Sequence, residues 1–406
     1  MKIILQLITL LFIATPSYSQ SVMRTMLRLP DTGQNQSFTN TLGEDNDYTH
    51  NPPFFIDNGN GTVTDTVTGL MWQQTDGGEM TVENAETYCD TLTLGGYTDW
   101  RLPNIYESVS ILNFQNVNPP LDTKVFTKTA AEYWWTSQKQ ANDVTRVWET
   151  NAGGGIGSHP KEETISAGGT KRFHCRAVRN TQEPIEFLTH FENLGDGTIL
   201  DYLTNLVWAK TISPDSLTLE NALTYSESFS LNDLTDWRLP NIKELQSIED
   251  VSIINPSIDT KIFTNMGNKV FWSSTSLPNI PEKSWYLNTA NGITTYDFKT
   301  FKHYVILVRS KKEANAVHEL KNDSQHVQLY PNPASSDLLI SITGNLPASQ
   351  ISLTITNSIG ETILTVNMPP YQKELHIDTQ SFTNGLYFII INGDTQCYTS
   401  NFLIQK

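Results

Sequence analysis

An eight-residue string, Thr-Asp-Trp-Arg-Leu-Pro-Asn-Ile, occurs twice in the chain, at residues 98–105 and 235–242. In both places a tryptophan lies between an aspartate and an arginine, so an indole face with flanking charges could bind a polar ligand. The alternative is a structural Asp–Arg pair that orients the chain before the next helix. The six candidate ligand-binding residues are Asp99, Trp100, Arg101, Asp236, Trp237 and Arg238.

A second stretch with possible chemistry is the loop Asp-Asn-Gly-Asn-Gly at residues 57–61, which resembles a calcium-binding loop in its alternating oxygen side chains. It lacks the acidic bidentate residue that closes such loops, and the corresponding later stretch has Asn193 and Leu194 in place of Asp57 and Asn58. The tight turn of a β-hairpin explains the same residues. We therefore expect no cofactor and no metal site, with calcium as the open alternative.

The sequence also lacks the short motifs of common catalytic sites. The sequence contains no HExxH, GxSxG, CxxC or phosphate-binding glycine loop. This pattern favours a protein that is not an enzyme.

The repeated string belongs to a longer internal repeat. The same offset of 137 residues carries Asn118-Pro119 onto Asn255-Pro256 and Trp135 onto Trp272. Each copy ends on a Val-Arg pair, at residues 178–179 and 308–309. We call residues 50–180 copy one and residues 187–310 copy two, and each has the size of an ordinary domain.

The three cysteines, Cys89, Cys175 and Cys397, are distributed unevenly over the copies. Cys89 corresponds to Ser226 and Cys175 to Val305, so copy one has both thiols and copy two has neither. That is what the loss of a bonded pair as a unit would leave, and it predicts a Cys89–Cys175 disulfide with Cys397 free. Such a bond would stabilise the fold by roughly 4 kcal/mol in the chain-entropy model. Two separate buried thiols are the alternative.

Capping signals predict two helices in each copy. The first helix begins after Thr81 in copy one and after Thr218 in copy two. The second begins with an Asn-x-x-Glu capping pattern at Asn104 and at Asn241, in which the glutamate faces backbone amides.

Strand signals complete each copy. A hairpin is predicted over residues 55–65 and buried strands over residues 134–137 and 271–274. A final strand is predicted from the alternation of Phe173, Cys175 and Ala177. After residue 326, short alternating apolar runs separated by Gly, Asn and Pro predict a small antiparallel β-sandwich.

Charge and hydropathy narrow the location and the partners. An apolar run at residues 3–14 behind Lys2 predicts a secretory signal peptide, and no later run is long enough to form a transmembrane segment. The formal net charge of −16 argues against nucleic acid and, by the same physics, against sulfated glycans.

The repeat motifs, including the glycine-rich hairpin from Asn58, the Thr-Asp-Trp-Arg string and Trp-Ser-Ser-Thr from Trp272, resemble the Legionella collagen-like protein C-terminal domain family. That family is similar to C-type-lectin-like and formylglycine-generating-enzyme-like folds, in which a first-helix cysteine pairs with a last-strand cysteine, as Cys89 and Cys175 would. The resemblance implies an α+β fold and a surface adhesin. The founding member looks like a binder of sulfated glycosaminoglycans, which the acidic charge here opposes.

The C-terminal part resembles the type IX secretion C-terminal sorting domain, through Leu-Tyr-Pro-Asn-Pro at residues 329–333 and Gly-Leu-Tyr-Phe at residues 385–388. The resemblance implies contact with the type IX secretion machinery of a Gram-negative bacterium of the Bacteroidota type and an extracellular or outer-membrane surface location. The predicted organisation is a signal peptide at 1–19, an N-terminal extension at 20–49, repeat domains at 50–180 and 187–310, a linker at 311–326 and the sorting domain at 327–406.

The expected fold is therefore two tandem C-type-lectin-like α+β domains followed by a small all-β, immunoglobulin-like sandwich. The expected function is binding or adhesion to a glycan or a protein, with the two copies acting as linked weak sites. A surface enzyme on a formylglycine-generating-enzyme-like scaffold and a purely structural surface module are the alternatives.

Overall fold

The computed structural model describes residues 21–311, 327–342, 351–357, 362–369, 372–392 and 397–406. The chain divides into two compact units, one ending at Lys311 and the other following it. The predicted signal peptide, residues 312–326 of the predicted linker and the side chain of Cys397 lie outside the described residues. Among the described residues, no helix is long and apolar enough to cross a membrane.

The first unit begins with a strand of the N-terminal extension, β1 (Val22–Arg24). Copy one contains two four-stranded sheets, ordered β2-β3-β4-β9 and β7-β6-β5-β8, with two helices. Its elements are β2 (Phe55–Asp57), β3 (Thr62–Asp65), β4 (Leu70–Gln73), α1 (Val82–Thr91), α2 (Ile105–Ser110), β5 (Tyr133–Gln140), β6 (Asp143–Thr150), β7 (Ile156–Pro160), β8 (Phe173–His174) and β9 (Val178–Asn180).

The connection to copy two contains β10 (Ile185–Phe187), which pairs with β1 in an antiparallel ribbon. Copy two repeats the order of elements, with sheets β11-β12-β13-β17 and β14-β15-β16. Its elements are β11 (Phe191–Asn193), β12 (Thr198–Asp201), β13 (Leu206–Ile212), α3 (Leu219–Ser228), α4 (Ile242–Ser247), β14 (Val270–Ser276), β15 (Lys283–Asn288), β16 (Ile293–Phe298) and β17 (Ile306–Ser310).

The predicted helix starts are confirmed in detail. The Thr81 side chain accepts a hydrogen bond from the Asn84 amide, whereas Thr218 holds the same cap position without a side-chain bond. Helices α2 and α4 both begin with a complete capping box, Asn104 with Glu107 and Asn241 with Glu244. These reciprocal bonds satisfy amides that would otherwise lack partners, so the two short helices start at fixed residues.

The predicted final strand of copy one is wrong as a continuous element. Phe173, Cys175 and Ala177 are all fully buried, but the chain leaves strand geometry between β8 and β9. Strand β8 pairs in parallel with β5, and β9 pairs with β4 in the other sheet. The break places Arg176 in the interior, where it donates to the Gln73 carbonyl at 2.8 Å. One chain segment therefore joins the two sheets.

The two copies share a hydrophobic core instead of packing as separate bodies. Val109 and Leu112 belong to the same buried cluster as Ile242 and Trp285 of copy two. Helices α2 and α4 contact each other, and the Lys243 ammonium, which is buried, donates to the Ser110 carbonyl at 2.8 Å. The sequence predicted two domains, and the structure shows that they form one compact unit.

The second unit is entirely β in its described part. One sheet has the order β18-β19-β22 and the other β21-β20-β23-β24. Leu338 and Ile340 from the first sheet and Leu353 and Ile389 from the second lie in one buried cluster. The strands are β18 (Val327–Tyr330), β19 (Asp337–Ile342), β20 (Ile351–Asn357), β21 (Thr362–Met368), β22 (Glu374–Asp378), β23 (Gly385–Asn392) and β24 (Cys397–Ile404).

Candidate functional site

The tryptophans of the two repeated strings lie in the core. Trp100 is 2% exposed and its indole nitrogen donates to the Leu94 carbonyl at 3.2 Å. Trp237 is 1% exposed and packs among the buried residues of copy two. Neither indole presents a face to solvent on which a ligand could stack.

The arginines of the strings pair with the capping glutamates. Arg101 makes two hydrogen bonds of 2.7 Å to Glu107, and Arg238 makes two of 2.6 Å to Glu244. Burial alone would raise the pKa of Glu244, but the Arg238 guanidinium and the Asn241 amide lower it below its usual value. Each arginine therefore locks the residue that caps the following helix.

The aspartates pair with the arginines that close each copy. Asp99 accepts from Arg179 at 2.7 and 3.0 Å, and Asp236 accepts from Arg309 at 2.9 Å twice. The sequence suggested a pair between the aspartate and the arginine of the same string. In the structure, each aspartate pairs instead with the arginine that closes its copy. The ligand-binding assignment of these six residues stays a prediction, and the geometry favours the structural interpretation.

The calcium-like loop forms the predicted hairpin turn between β2 and β3. The Asp57 carboxylate accepts from the Gly59 amide at 2.8 Å and from the Gln74 side chain at 2.8 Å. These two bonds, the turn amide first, lower the pKa of Asp57. Across the described residues, no group of three or more His, Cys, Asp or Glu side chains could hold a metal ion.

Cys89 and Cys175 are buried neighbours and are present as free thiols. A hydrogen bond between the two thiols, together with burial, raises the pKa of Cys175 well above its usual value. A thiol with a raised pKa is a poor nucleophile. The disulfide stays a prediction, and the contact between the thiols supports it.

A polar groove that the sequence did not indicate lies on copy one, where the turn after α2 meets the N-terminal extension. Its volume is about 410 Å³. Amide side chains dominate its lining, with one carboxylate and one ammonium group. The polar side chains that line it are Asn35, Asn113, Gln115, Asn116, Asp122, Thr123 and Lys124.

Three of the groove amides each use one side-chain atom in a hydrogen bond within the protein. The Asn113 oxygen accepts from the Gln115 amide at 2.9 Å, the Gln115 oxygen accepts from the Asn35 amide at 3.3 Å, and the Asn116 nitrogen donates to the Leu121 carbonyl at 2.8 Å. Among the described residues, the other atom of each of these three amides has no partner. Each amide is therefore both oriented and able to bind a ligand.

A glycine makes the groove possible. Gly33 has a φ of +82°, and a side chain at this position would place its Cβ 2.9 Å from the Asn113 side-chain nitrogen. The N-terminal extension can thus approach the amides only because this residue has no side chain.

A second, smaller pocket adjoins the groove through Asn116 and Val117 and has a volume of about 120 Å³. Its far wall comes from copy two, where the rings of Trp285 and Tyr296 contact each other edge to face at 5.5 Å. Tyr296 is 39% exposed, so a ligand can reach its ring. Polar amides and an aromatic wall therefore lie side by side.

The signal for this site was present but weak. Copy one has Asn113, Gln115 and Asn116 where copy two has Asp250, Ser252 and Ile253. A local difference between copies that otherwise share their framework marks a position that the fold does not require. The contribution of Asn35, far away in the chain, had no local signal.

Comparison with known families agrees with this architecture. Residues 61–179 and 197–309 match the family described as the Lcl C-terminal domain, and residues 328–405 match the secretion system C-terminal sorting domain. No curated protein matches the chain. Because the tandem match covers more than half of the chain, the protein belongs to the Lcl C-terminal domain family. Its sorting domain marks an exported, type IX-sorted protein of the cell surface or medium, typical of Bacteroidota.

Proposed function

We propose that this exported protein is a surface-binding protein, with C-type-lectin-like repeats, that binds a neutral glycan in the amide groove of copy one. The observation that carries the proposal is the composition of the groove, since amides donate and accept hydrogen bonds as sugar hydroxyls require. One carboxylate and one ammonium group leave the groove without a strong charge. In the adjoining wall, Tyr296 is exposed and offers an apolar ring face for a sugar, while the buried Trp285 supports that ring from behind.

The titratable groups at the amide groove favour binding over catalysis there. A catalytic site needs groups with shifted pKa values that converge in a pocket. Burial raises the pKa of Glu149 to about 8 and that of Glu249 well above its usual value, yet both side chains are in the interior. Neither lines the groove. This supports the interpretation that the protein is not an enzyme.

The binding proposal is tested by glycan-array screening of the mature full chain, with calcium and with a chelator. A double variant, Asn113→Ala with Gln115→Ala, removes the two linked amides of the groove. We expect it to weaken binding to the best glycan by about tenfold or more, because a lost hydrogen bond to a ligand costs about 1 kcal/mol or more. The matched control is Asp250→Ala with Ser252→Ala at the corresponding positions of copy two.

Equal losses in the two double variants would contradict a groove site. Loss of binding on chelation would show that calcium takes part and that the hairpin loop needs a new interpretation. Specific capture of a protein by the wild type, with no glycan bound, would favour the protein-ligand alternative.

Delivery is proposed to depend on the C-terminal unit, an immunoglobulin-like sandwich that contacts the type IX machinery. Its two sheets have a buried core of their own. Deleting the chain from Tyr330 onward should therefore leave the repeats folded but retained in the periplasm. Cell fractionation checks this, and surface display of the truncated chain would refute the sorting role.

A further inference from the structure

Copy two already binds an acidic segment, which the N-terminal extension of the same chain supplies. We call residues 43–47 the acidic loop. Glu44 accepts from the Ser276 hydroxyl at 2.6 Å and from the Lys299 ammonium at 3.0 Å. Asp45 accepts from the Thr275 hydroxyl at 2.5 Å. Thr275, Ser276 and Lys299 therefore form three donors, the copy-two seat, for two neighbouring carboxyl groups.

The strands that carry this seat have the same register in both copies. In copy two Trp272 lies opposite Tyr286 and Ser276 opposite Ser284. In copy one Trp135 lies opposite Glu149 and Lys139 opposite Val147, each position 137 residues earlier, and both pairs of strands have an irregularity between these points. Position 139 is therefore the structural counterpart of position 276.

The three donors of the copy-two seat have counterparts in copy one. Thr275 accepts from the first amide of α4, and Gln138 accepts from the first amide of α2 at 2.6 Å, which leaves the Gln138 side-chain NH₂ as a donor. Lys139 replaces Ser276. The Lys161 carbonyl accepts from the first amide of α1 as the Lys299 carbonyl does from α3, so these lysines correspond.

We propose that Gln138, Lys139 and Lys161, the copy-one seat, bind an acidic peptide segment of a partner protein that presents adjacent carboxylates as the acidic loop does. Lys139 is exposed to solvent. The replacement of a hydroxyl by an ammonium group adds the charge that an exposed site needs to bind ionised carboxylates. None of the three residues lines the amide groove, and the inference does not depend on the glycan proposal.

Acidic side chains of copy one compete for Lys161, Glu83 through a hydrogen bond and Glu162 and Glu86 through charge alone. Lys161 donates to Glu83 at 3.1 Å, and the Glu83 side chain is 71% exposed. Exposed ion pairs contribute little free energy, so a partner carboxylate can replace Glu83 at small cost. Copy two has Glu220 at the corresponding position, and Lys299 nevertheless pairs with Glu44.

The test uses a labelled synthetic peptide with the sequence of residues 42–49, Leu-Gly-Glu-Asp-Asn-Asp-Tyr-Thr, and the mature full chain. Fluorescence anisotropy should show saturable binding at one site. Lys139→Glu should weaken that binding by about tenfold or more, because it puts like charges together. Lys302→Glu, the same change at an exposed lysine of copy two, should leave it unchanged. A scrambled peptide with the Glu and Asp residues separated should bind more weakly.

Four outcomes would overturn the proposal. The wild type could fail to bind the peptide, or Lys302→Glu could weaken binding as much as Lys139→Glu, which would show only an effect of net charge. Binding unchanged in Lys139→Glu would place the peptide in the copy-two seat by displacement of the acidic loop. Retention of heparin, abolished by Lys139→Glu, without peptide binding would identify the surface as a polyanion site.

Discussion

In copy one the Arg101 side chain is 35% exposed, whereas its counterpart Arg238 in copy two is 5% exposed. Both arginines make the same two bonds to a capping glutamate. The difference arises because the N-terminal extension covers copy two. Burial alone would lower the pKa of Arg238, but Glu244, followed by Asp45 and Asp31 of the extension, raises it. The corresponding end of β5 in copy one, at Lys139, is exposed.

The comparison separates positions that the two copies share from positions at which they differ. The arginine–glutamate pair and the arginine–aspartate pair occur in both copies because they fix the backbone. The groove amides and the residues of the copy-one seat differ between copies because the fold does not depend on them. Surface binding is therefore expected where the copies diverge.

The largest expected effect is the loss of the buried ion pair of copy two. Arg238→Ala leaves Glu244 buried without its counter-ion, which should lower the free energy of unfolding by about 3–5 kcal/mol. Arg101→Ala should cost clearly less, since water reaches the corresponding site. Urea unfolding of both variants measures the difference. Equal costs would show that the extension does not change the environment of the pair.

The second prediction concerns Cys89 and Cys175, the two thiols of copy one that have no counterpart in copy two. Non-reducing peptide mapping of the exported protein should link Cys89 to Cys175 and leave Cys397 free. Reduction should then lower the free energy of unfolding by roughly 4 kcal/mol. The double variant Cys89→Ser with Cys175→Val, which installs the residues of copy two, should not respond to reductant. Alkylation of the wild type at both 89 and 175 would sink the disulfide.

The third prediction uses a buried acid that copy two lacks, since Glu149 lies opposite Trp135 where copy two has Tyr286. Burial raises the pKa of Glu149 from 4.5 to about 8, so between these pH values the folded state holds a proton that the unfolded state has lost. Stability contributed by this proton is complete below pH 4.5 and is lost as the pH rises to about 8.

Glu149→Gln should therefore be more stable than the wild type near pH 8, by on the order of 2–4 kcal/mol, and similar to it at low pH. Thermal or urea unfolding across this pH range measures the effect. Glu162→Gln, at an exposed position, is the control and should follow the wild type. A variant that runs parallel to the wild type at every pH would show that Glu149 is not buried as an acid.

The sequence predicted what depends on neighbours along the chain. The capping boxes hold because Asn104 and Glu107 are three residues apart, and the hairpin at 57–61 follows from its glycines. Apart from the proximity of Cys89 and Cys175, it did not predict contacts across the fold. Asp99 meets an arginine 80 residues away, and Gln34 binds Ser276 at a separation of 242 residues. Such pairings depend on how the sheets assemble, which local propensity does not determine.

The smallest expected effect concerns heparin and the basic residues that cluster in the sequence of copy one. The structure pairs most of them with acids or buries them. Lys161 contacts Glu83, Arg172 contacts Glu79, and Arg179 contacts Asp99. Arg176 is 2% exposed. Lys171 is the member of this cluster for which the described residues supply no acidic partner, so little unpaired positive charge opposes the overall −16.

We therefore expect no retention on immobilised heparin at about 150 mM salt, where the Debye length of about 8 Å still lets a diffuse negative field repel a polyanion. Neutralising Lys171 and Arg172 together should change the elution position by a negligible amount. A salt series with wild type and double variant checks this. Wild-type retention that disappears in the variant would show that the local cluster outweighs the net charge, because a phosphate- or sulfate-binding surface depends on the cations it can pair.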